Sequence, residues 1–155
     1  MPTAVRGLLA GLIATAVLAL VVLLELQLDL LPDLNIVQLI AAAAGELLGV
    51  PETPAAGWTL LFLIGAVWGL VFGWIQDRLP GRSGLARGLV FAVFVWVVMM
   101  IVFMPIAGAG WFGLERSPMA PVVALVMHLI FGAVMGGVFA ALPRQAARPE
   151  EGRVS

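Results

Sequence analysis

Four long, almost unbroken apolar blocks dominate the chain, with short polar breaks between them. They cover about residues 7–24, 57–75, 88–105 (with a continuation to Ala109) and 120–142. None alternates with period two, as a half-buried strand would. A helix rises ~1.5 Å per residue and needs ~20 residues to cross ~30 Å of hydrocarbon, and each block approaches that length. In lipid every backbone N–H and C=O must be bonded within the segment, which a helix achieves and an open strand does not. The pattern predicts an all-α membrane protein with four transmembrane helices. The first block follows Arg6 and superficially resembles a secretory leader. It is 18 residues long and runs into "ELQLD" rather than a small-residue cleavage site, so an uncleaved span is expected.

A fifth element is predicted between the first two blocks. "PDLNIVQLIAAAAGELLGVPETP" has a cap at Asp33 or Asn35, an apolar stretch to about Leu48, a stop at Gly49 and Pro51 beyond it. At roughly 12–14 residues it is too short to span, and is expected to be an outer interfacial or re-entrant helix. Residues 1–143 are read as one transmembrane domain. Residues 144–155 are polar and read as a disordered cytoplasmic tail.

The chain also repeats itself. "IGAVWGLVFG" at residues 64–73 returns as "FGAVMGGVFA" at residues 131–140, and "VRGLLAGL" at residues 5–12 returns as "ARGLVFAV" at residues 86–93. Halves 5–80 and 86–143 each hold two spans, an even number, so both enter the membrane in the same direction. The expected arrangement is two helical hairpins related as parallel repeats. Gly65, Gly69 and Gly73 form one row at four-residue spacing, Gly132, Gly136 and Ala140 a second, and Gly7, Gly11 and Thr15 a weaker third. Such rows stack on one helix face and let backbones approach closely, so these are the candidate packing residues.

Charge sets the orientation. Arg6, Arg78, Arg82, Arg87, Arg144, Arg148 and Arg153 fall on one side of the predicted bilayer, and Arg116 alone on the other. The positive-inside rule puts both termini in the cytoplasm and the protein in the cytoplasmic (inner) membrane. Trp58 and Trp111 then fall at the outer boundary and Trp74 at the inner one.

Composition narrows the chemistry. Hydrophobic residues make up 63% and charged residues 11%, against roughly 45–50% and 25% in soluble domains. A net charge of −1 gives no reason to expect nucleic acid. The absence of cysteine removes disulfides, thiolate ligands and a thiol nucleophile. His128 is the single histidine, and it lies about 12 Å inside span four. An ionisable group at that depth is a candidate functional residue. The plainer reading is a neutral imidazole bonded to a carbonyl or carboxylate between helices. Glu25 and Asp29, at i,i+4, share a face at the outer end of span one and could attract cations or share a proton; a solvated pair is the plainer reading. Met99, Met100, Met104, Met119 and Met127 crowd the outer half of spans three and four, where they either fill gaps or offer thioethers to copper. No nucleophile–base pair, cofactor fingerprint or metal-ligand spacing appears. No catalytic residue, metal or cofactor is expected.

Taken together, "RGLLAGLIAT", "NIVQLIAAAAGELLGV", "GWTLLFLIGAVWGLVFGW", "MPIAGAGWFGL" and "SPMAPVVALVMHLIFGAVMGGVF" resemble a bacterial and archaeal family of small four-helix integral membrane proteins, a domain of unknown function. The resemblance covers about residues 6–142. It implies the fold and a membrane location, and no catalytic residue. A histidine also occurs in span two of such relatives, where this chain has Leu61.

The sequence therefore points to a non-enzymatic membrane subunit that packs through glycine-rich faces. Its expected partners are the lipid bilayer and either further copies of itself or a larger, respiratory-type complex. The alternative is a small, oligomeric transporter or channel using Glu25, Asp29 and His128. The arginine bias yields a direct prediction. Reporter fusions after Arg82 and after Glu52 will report opposite faces of the membrane, with Arg82 inside. An outer Arg82 fusion would invert the topology.

Overall fold

The computed structural model describes residues 1–28 and 35–144. Asp29, Asp33 and the tail beyond Arg144 lie outside the described residues. Among those described there are helices and turns but no strand. The order is α1 (Thr3–Leu28), α2 (Ile36–Leu48), α3 (Pro54–Ile75), α4 (Gly84–Val98), α5 (Met104–Ile106) and α6 (Ala120–Ala141). A π-helical turn, Met99–Phe103, joins α4 to α5. Four helical stretches are long and apolar enough to cross a membrane: Thr3–Leu28, Pro54–Arg78, Gly84–Ile106 and Ala120–Ala141.

Local chemistry sets the boundaries. Asn35 Oδ1 accepts the Gln38 N–H at 3.1 Å and caps α2. Gly49 ends it at φ 66°, its N–H returning to the Gly45 carbonyl. Thr53 Oγ1 accepts the Ala56 N–H at 3.2 Å, and Pro54 occupies the first turn of α3, where a missing N–H costs nothing. Ser83 Oγ accepts the Ala86 N–H and starts α4 four residues before the apolar block suggests. The helix widens after Val98, where the Met104 N–H reaches back five residues to the Met99 carbonyl. Pro105 lies just beyond. A regular turn there would press its ring on the carbonyl four residues back, and a π turn relieves that clash.

Two interhelical seams organise the bundle. In the first, α1 lies on α3. A Cβ on Gly7 would collide with the Gly69 carbonyl, and one on Gly11 would sit 2.8 Å from Gly69 Cα. Thr15 closes the row against Gly65, its hydroxyl donating to the Gly11 carbonyl at 2.8 Å. In the second seam α4 lies on α6. Gly84 meets the Gly136 backbone and Ala140, and Gly88 meets Gly132 and Gly136. Ala92 Cβ lies 2.5 Å from where a Cβ on Gly132 would stand. The row Gly84–Gly88–Ala92 was not anticipated, because Gly84 precedes the predicted span. The Arg-Gly-Leu motif matches Gly7 to Gly88, yet Gly69 faces the Gly7 carbonyl whereas its motif partner Gly136 faces that of Gly84. The two hairpins are thus alike in kind and offset by one helical turn.

Aromatic packing joins the hairpins. Phe72, Phe91 and Met135 are fully buried in the half of the bundle that holds the chain termini, with Phe139 beside them. Phe72 meets Phe91 at 5.4 Å and Phe139 at 5.5 Å between ring centroids. At the same end Met1 N bonds the Pro143 carbonyl, and the buried Arg6 guanidinium donates to the Phe139 carbonyl and lies 4.2 Å above its ring. Arg87 donates to Gln76 Oε1 at 2.8 Å and pairs with Asp77. At the opposite end α2 buries Leu39 and Ala43 against Met100, Met104 and Ala124. A Cβ on Gly57 would collide with the Val37 carbonyl, which holds α2 against α3.

Two adjacent glycines supply a controlled test of the seams. A Cβ on Gly136 meets α4 backbone, whereas one on Gly137 meets nothing within 4 Å. Gly136→Leu will lower the melting temperature of the detergent-solubilised protein by an amount corresponding to at least about 1–3 kcal/mol, the usual cost of overpacking. Gly137→Leu will leave it unchanged or raise it, and equal effects would remove the seam from the account.

Candidate functional site

Above the seams the four long helices enclose a chamber of about 390 Å³. Thr15 and Gly65, the last small residues of the first seam, lie at its floor with Trp68 and Phe131. Ile36 and Ile40 of α2 line it at the opposite end. Leu18 and Val22 of α1, Leu61 of α3 and Met127 of α6 line its sides. The π turn contributes Met99, Val102 and Phe103, so the irregular part of the third span is also part of the chamber wall. A π turn rotates the residues beyond it relative to a regular helix and frequently accompanies a binding site.

Polar groups are few. His128 projects from α6, and its Nδ1 lies 2.7 Å from the Ala124 carbonyl one turn earlier. A carbonyl only accepts, so Nδ1 carries the proton. The neutral ring then presents Nε2 as an acceptor, and no partner for Nε2 exists among the described residues. The sequence suggested a bond between helices; the carbonyl used belongs to His128's own helix. Thr15 is spent on the Gly11 carbonyl. Glu25, a turn beyond Val22, lines the chamber from α1. Of the three candidate polar residues, His128 and Glu25 therefore share one cavity, and Asp29 lies outside the described residues. The candidate packing residues Gly65, Gly69, Gly73, Gly132, Gly136 and Ala140 face other helices rather than this cavity, except Gly65, which borders it.

Leu61, buried at 8% exposure, also occupies the chamber wall. Met99, Met104 and Met127 also line the chamber, as gap-filling side chains among isoleucine, valine and phenylalanine. Among the described residues no group of three His, Cys, Asp or Glu side chains is placed to hold a metal ion.

The model of a family of unknown function, DUF6789, matches residues 1–150. The chain belongs to this family. No curated protein and no solved structure matches it. The family assignment carries no activity with it, so the function has to be argued from the chamber and the packing around it.

Sequence reasoning located His128 and Glu25 but not the wall they share. Thr15 and Gly65 were read only as packing positions. A detectable signal was present in the first hairpin: past Thr15 and Gly65 the chamber side is continued by Leu18, Val22 and Leu61.

The local character of the histidine bond gives a prediction. His128→Leu removes a hydrogen bond made within one helix turn and leaves both seams intact. It will fold and will change stability by no more than about 1 kcal/mol, as measured by thermal unfolding in detergent. A collapse of the fold would mean that His128 bridges helices.

Proposed function

We propose that this chain is a non-enzymatic integral protein of the cytoplasmic membrane, with both termini inside, serving as an accessory subunit of a larger, respiratory-type membrane complex or of its own oligomer. The two hairpins are read as parallel repeats. The observation that carries the subunit reading over transport is the phenylalanine plug. Phe72, Phe91, Met135 and Phe139 fill the arginine-rich half of the bundle, with three of the four at 0% exposure. A solute entering the chamber meets a buried layer of phenylalanine and methionine, whereas pathways are marked by ionisable or carbonyl groups along their length. The outward faces, by contrast, are apolar throughout, with Leu20, Leu63, Phe94 and Val126 more than half exposed. In a bilayer such faces meet lipid or other helices at little cost.

The second reading, a small transporter using Glu25, Asp29 and His128, is favoured by one fact: Glu25 and His128 line the same cavity. Native mass measurement on protein extracted in mild detergent separates the two. The subunit reading expects stable co-purifying membrane proteins, or a defined oligomer that moves no protons or cations in proteoliposomes. Flux that disappears with His128→Leu would establish transport instead.

A further inference from the structure

The chamber has a mouth, and its position identifies what can enter. Nearly all wall residues are buried or half-buried. The exceptions are Ile64 at 37%, Val102 at 51% and Ile106 at 40% exposure. All three stand on α3 or on the α4–α5 span, so the opening lies between those helices, level with the middle and outer part of the bundle. On the reading that the four helices span a bilayer, this mouth faces acyl chains rather than water. Whatever enters is already dissolved in the membrane.

The lining selects further. Apart from Thr15, Glu25 and His128, the walls are aliphatic, aromatic and thioether side chains, which favour an apolar body. Within them His128 Nε2 is an acceptor without a protein partner. A guest without a donor would cover this accessible atom and leave it unpaired, which costs free energy, so the site discriminates in favour of a molecule that brings a donor. A carbonyl or ether would leave Nε2 unpaired, and an acid would bring a second acidic group into a cavity that already holds Glu25. A neutral hydroxyl satisfies both conditions. The volume, about 390 Å³, falls within the range of small-molecule sites.

We propose that the chamber is a binding site for a membrane-dissolved amphiphile with an apolar body and a neutral hydroxyl, entering between α3 and α4 and donating that hydroxyl to His128 Nε2. Trp68 and Phe131, below it, provide flat surfaces for the body. The π turn Met99–Phe103 forms one side of the mouth and presents Val102 there. The site is compatible with a subunit of a complex or with a chain acting alone.

The probes are radiolabelled 4-hexylphenol and its methyl ether, 4-hexylanisole, which is matched in shape but lacks the donor. Binding is counted on the full chain in phosphatidylcholine nanodiscs against protein-free nanodiscs. Saturable binding of the phenol is expected, with the ether bound about tenfold more weakly, as for a site that loses one buried hydrogen bond. His128→Leu will abolish that preference while keeping the apolar body's affinity. Val102→Trp, at an exposed position on the mouth, will slow uptake of the phenol without disturbing the core, and it serves as the second variant should His128→Leu not fold. Absence of saturable binding overturns the proposal. Equal binding of phenol and ether by the wild type also overturns it, because the chamber would then accept any acyl chain. A phenol preference that survives His128→Leu places the hydroxyl elsewhere and sinks it too.

Discussion

Close backbone contact along two glycine seams is the constraint on which the rest of this protein depends. Between helices surrounded by lipid there is no hydrophobic gain from association, because the acyl chains are as apolar as leucine. What remains is packing, and packing improves steeply as backbones approach. Gly7, Gly11 and Gly69 bring α1 onto α3, and Gly84, Gly88, Gly132 and Gly136 bring α4 onto α6, at distances where even one Cβ would overlap a neighbouring carbonyl or Cα; at Gly65 it would overlap the Thr15 side chain. No larger residue fits at these positions without displacing a helix.

The chamber follows from where the seams stop. The seam residues Gly7 to Thr15, Gly65 to Gly73, Gly84 to Ala92 and Gly132 to Ala140 occupy the half of each hairpin nearest Met1 and Pro143. Past Thr15 on α1 and Gly65 on α3, the facing positions become Leu18, Val22 and Leu61, and the second hairpin continues past Ala92 with Val95 and Met99. Larger side chains hold the helices apart in that half, and the space between them is only partly filled. Pro105 then converts the third span into a π turn at the same level, and α2 lies across the far end. A tight lower half with a phenylalanine plug and a looser upper half that opens between α3 and α4 thus go together.

Much of this was legible in the sequence, and the reasons for what was not are specific. The four apolar blocks appear as helices because long apolar runs leave no other way to bond the backbone. Asn35, Gly49 and Pro51 marked the limits of α2 because caps and breakers act locally. The predicted starts of α1 and α4 fell late, at Gly7 and Gly88 rather than Thr3 and Gly84. Helices extend past the apolar limit wherever a polar side chain can be accommodated, as Arg6 is. The Gly84–Gly88–Ala92 row was hidden for that reason. The one-turn offset between hairpins was hidden for another: a motif match aligns residues, while seam register is chosen by which small residues can meet. His128 and Glu25 stood out as ionisable groups in apolar surroundings, but a cavity is a property of four helices together, and no single stretch of chain encodes it.

The Arg-Gly-Leu motif shows how few residues carry the assembly. Glycine serves the seam inside its own hairpin. The arginine before it points elsewhere, since adjacent positions on a helix differ by about 100°. Arg6, on the first hairpin, reaches the Phe139 carbonyl near the end of α6 in the second, one of the last four carbonyls of that helix and therefore without a helical partner of its own. Arg87, on the second hairpin, reaches Gln76 and Asp77 at the end of the α3 segment in the first. Each arginine thus crosses to the hairpin it does not belong to and binds polar groups at the end of a helix there, where a cation is also favoured by the helix dipole. Two neighbouring residues, one of minimal volume and one long and charged, specify both levels of the structure: glycine pairs helices into a hairpin, and arginine pairs hairpins into the bundle. The phenylalanine plug lies directly against this arginine layer, with Phe139 contributing its carbonyl and its ring to Arg6 at once. The closed half of the molecule is accordingly held by directional bonds as well as by packing, and the guest enters the other half, where the lining is mainly apolar.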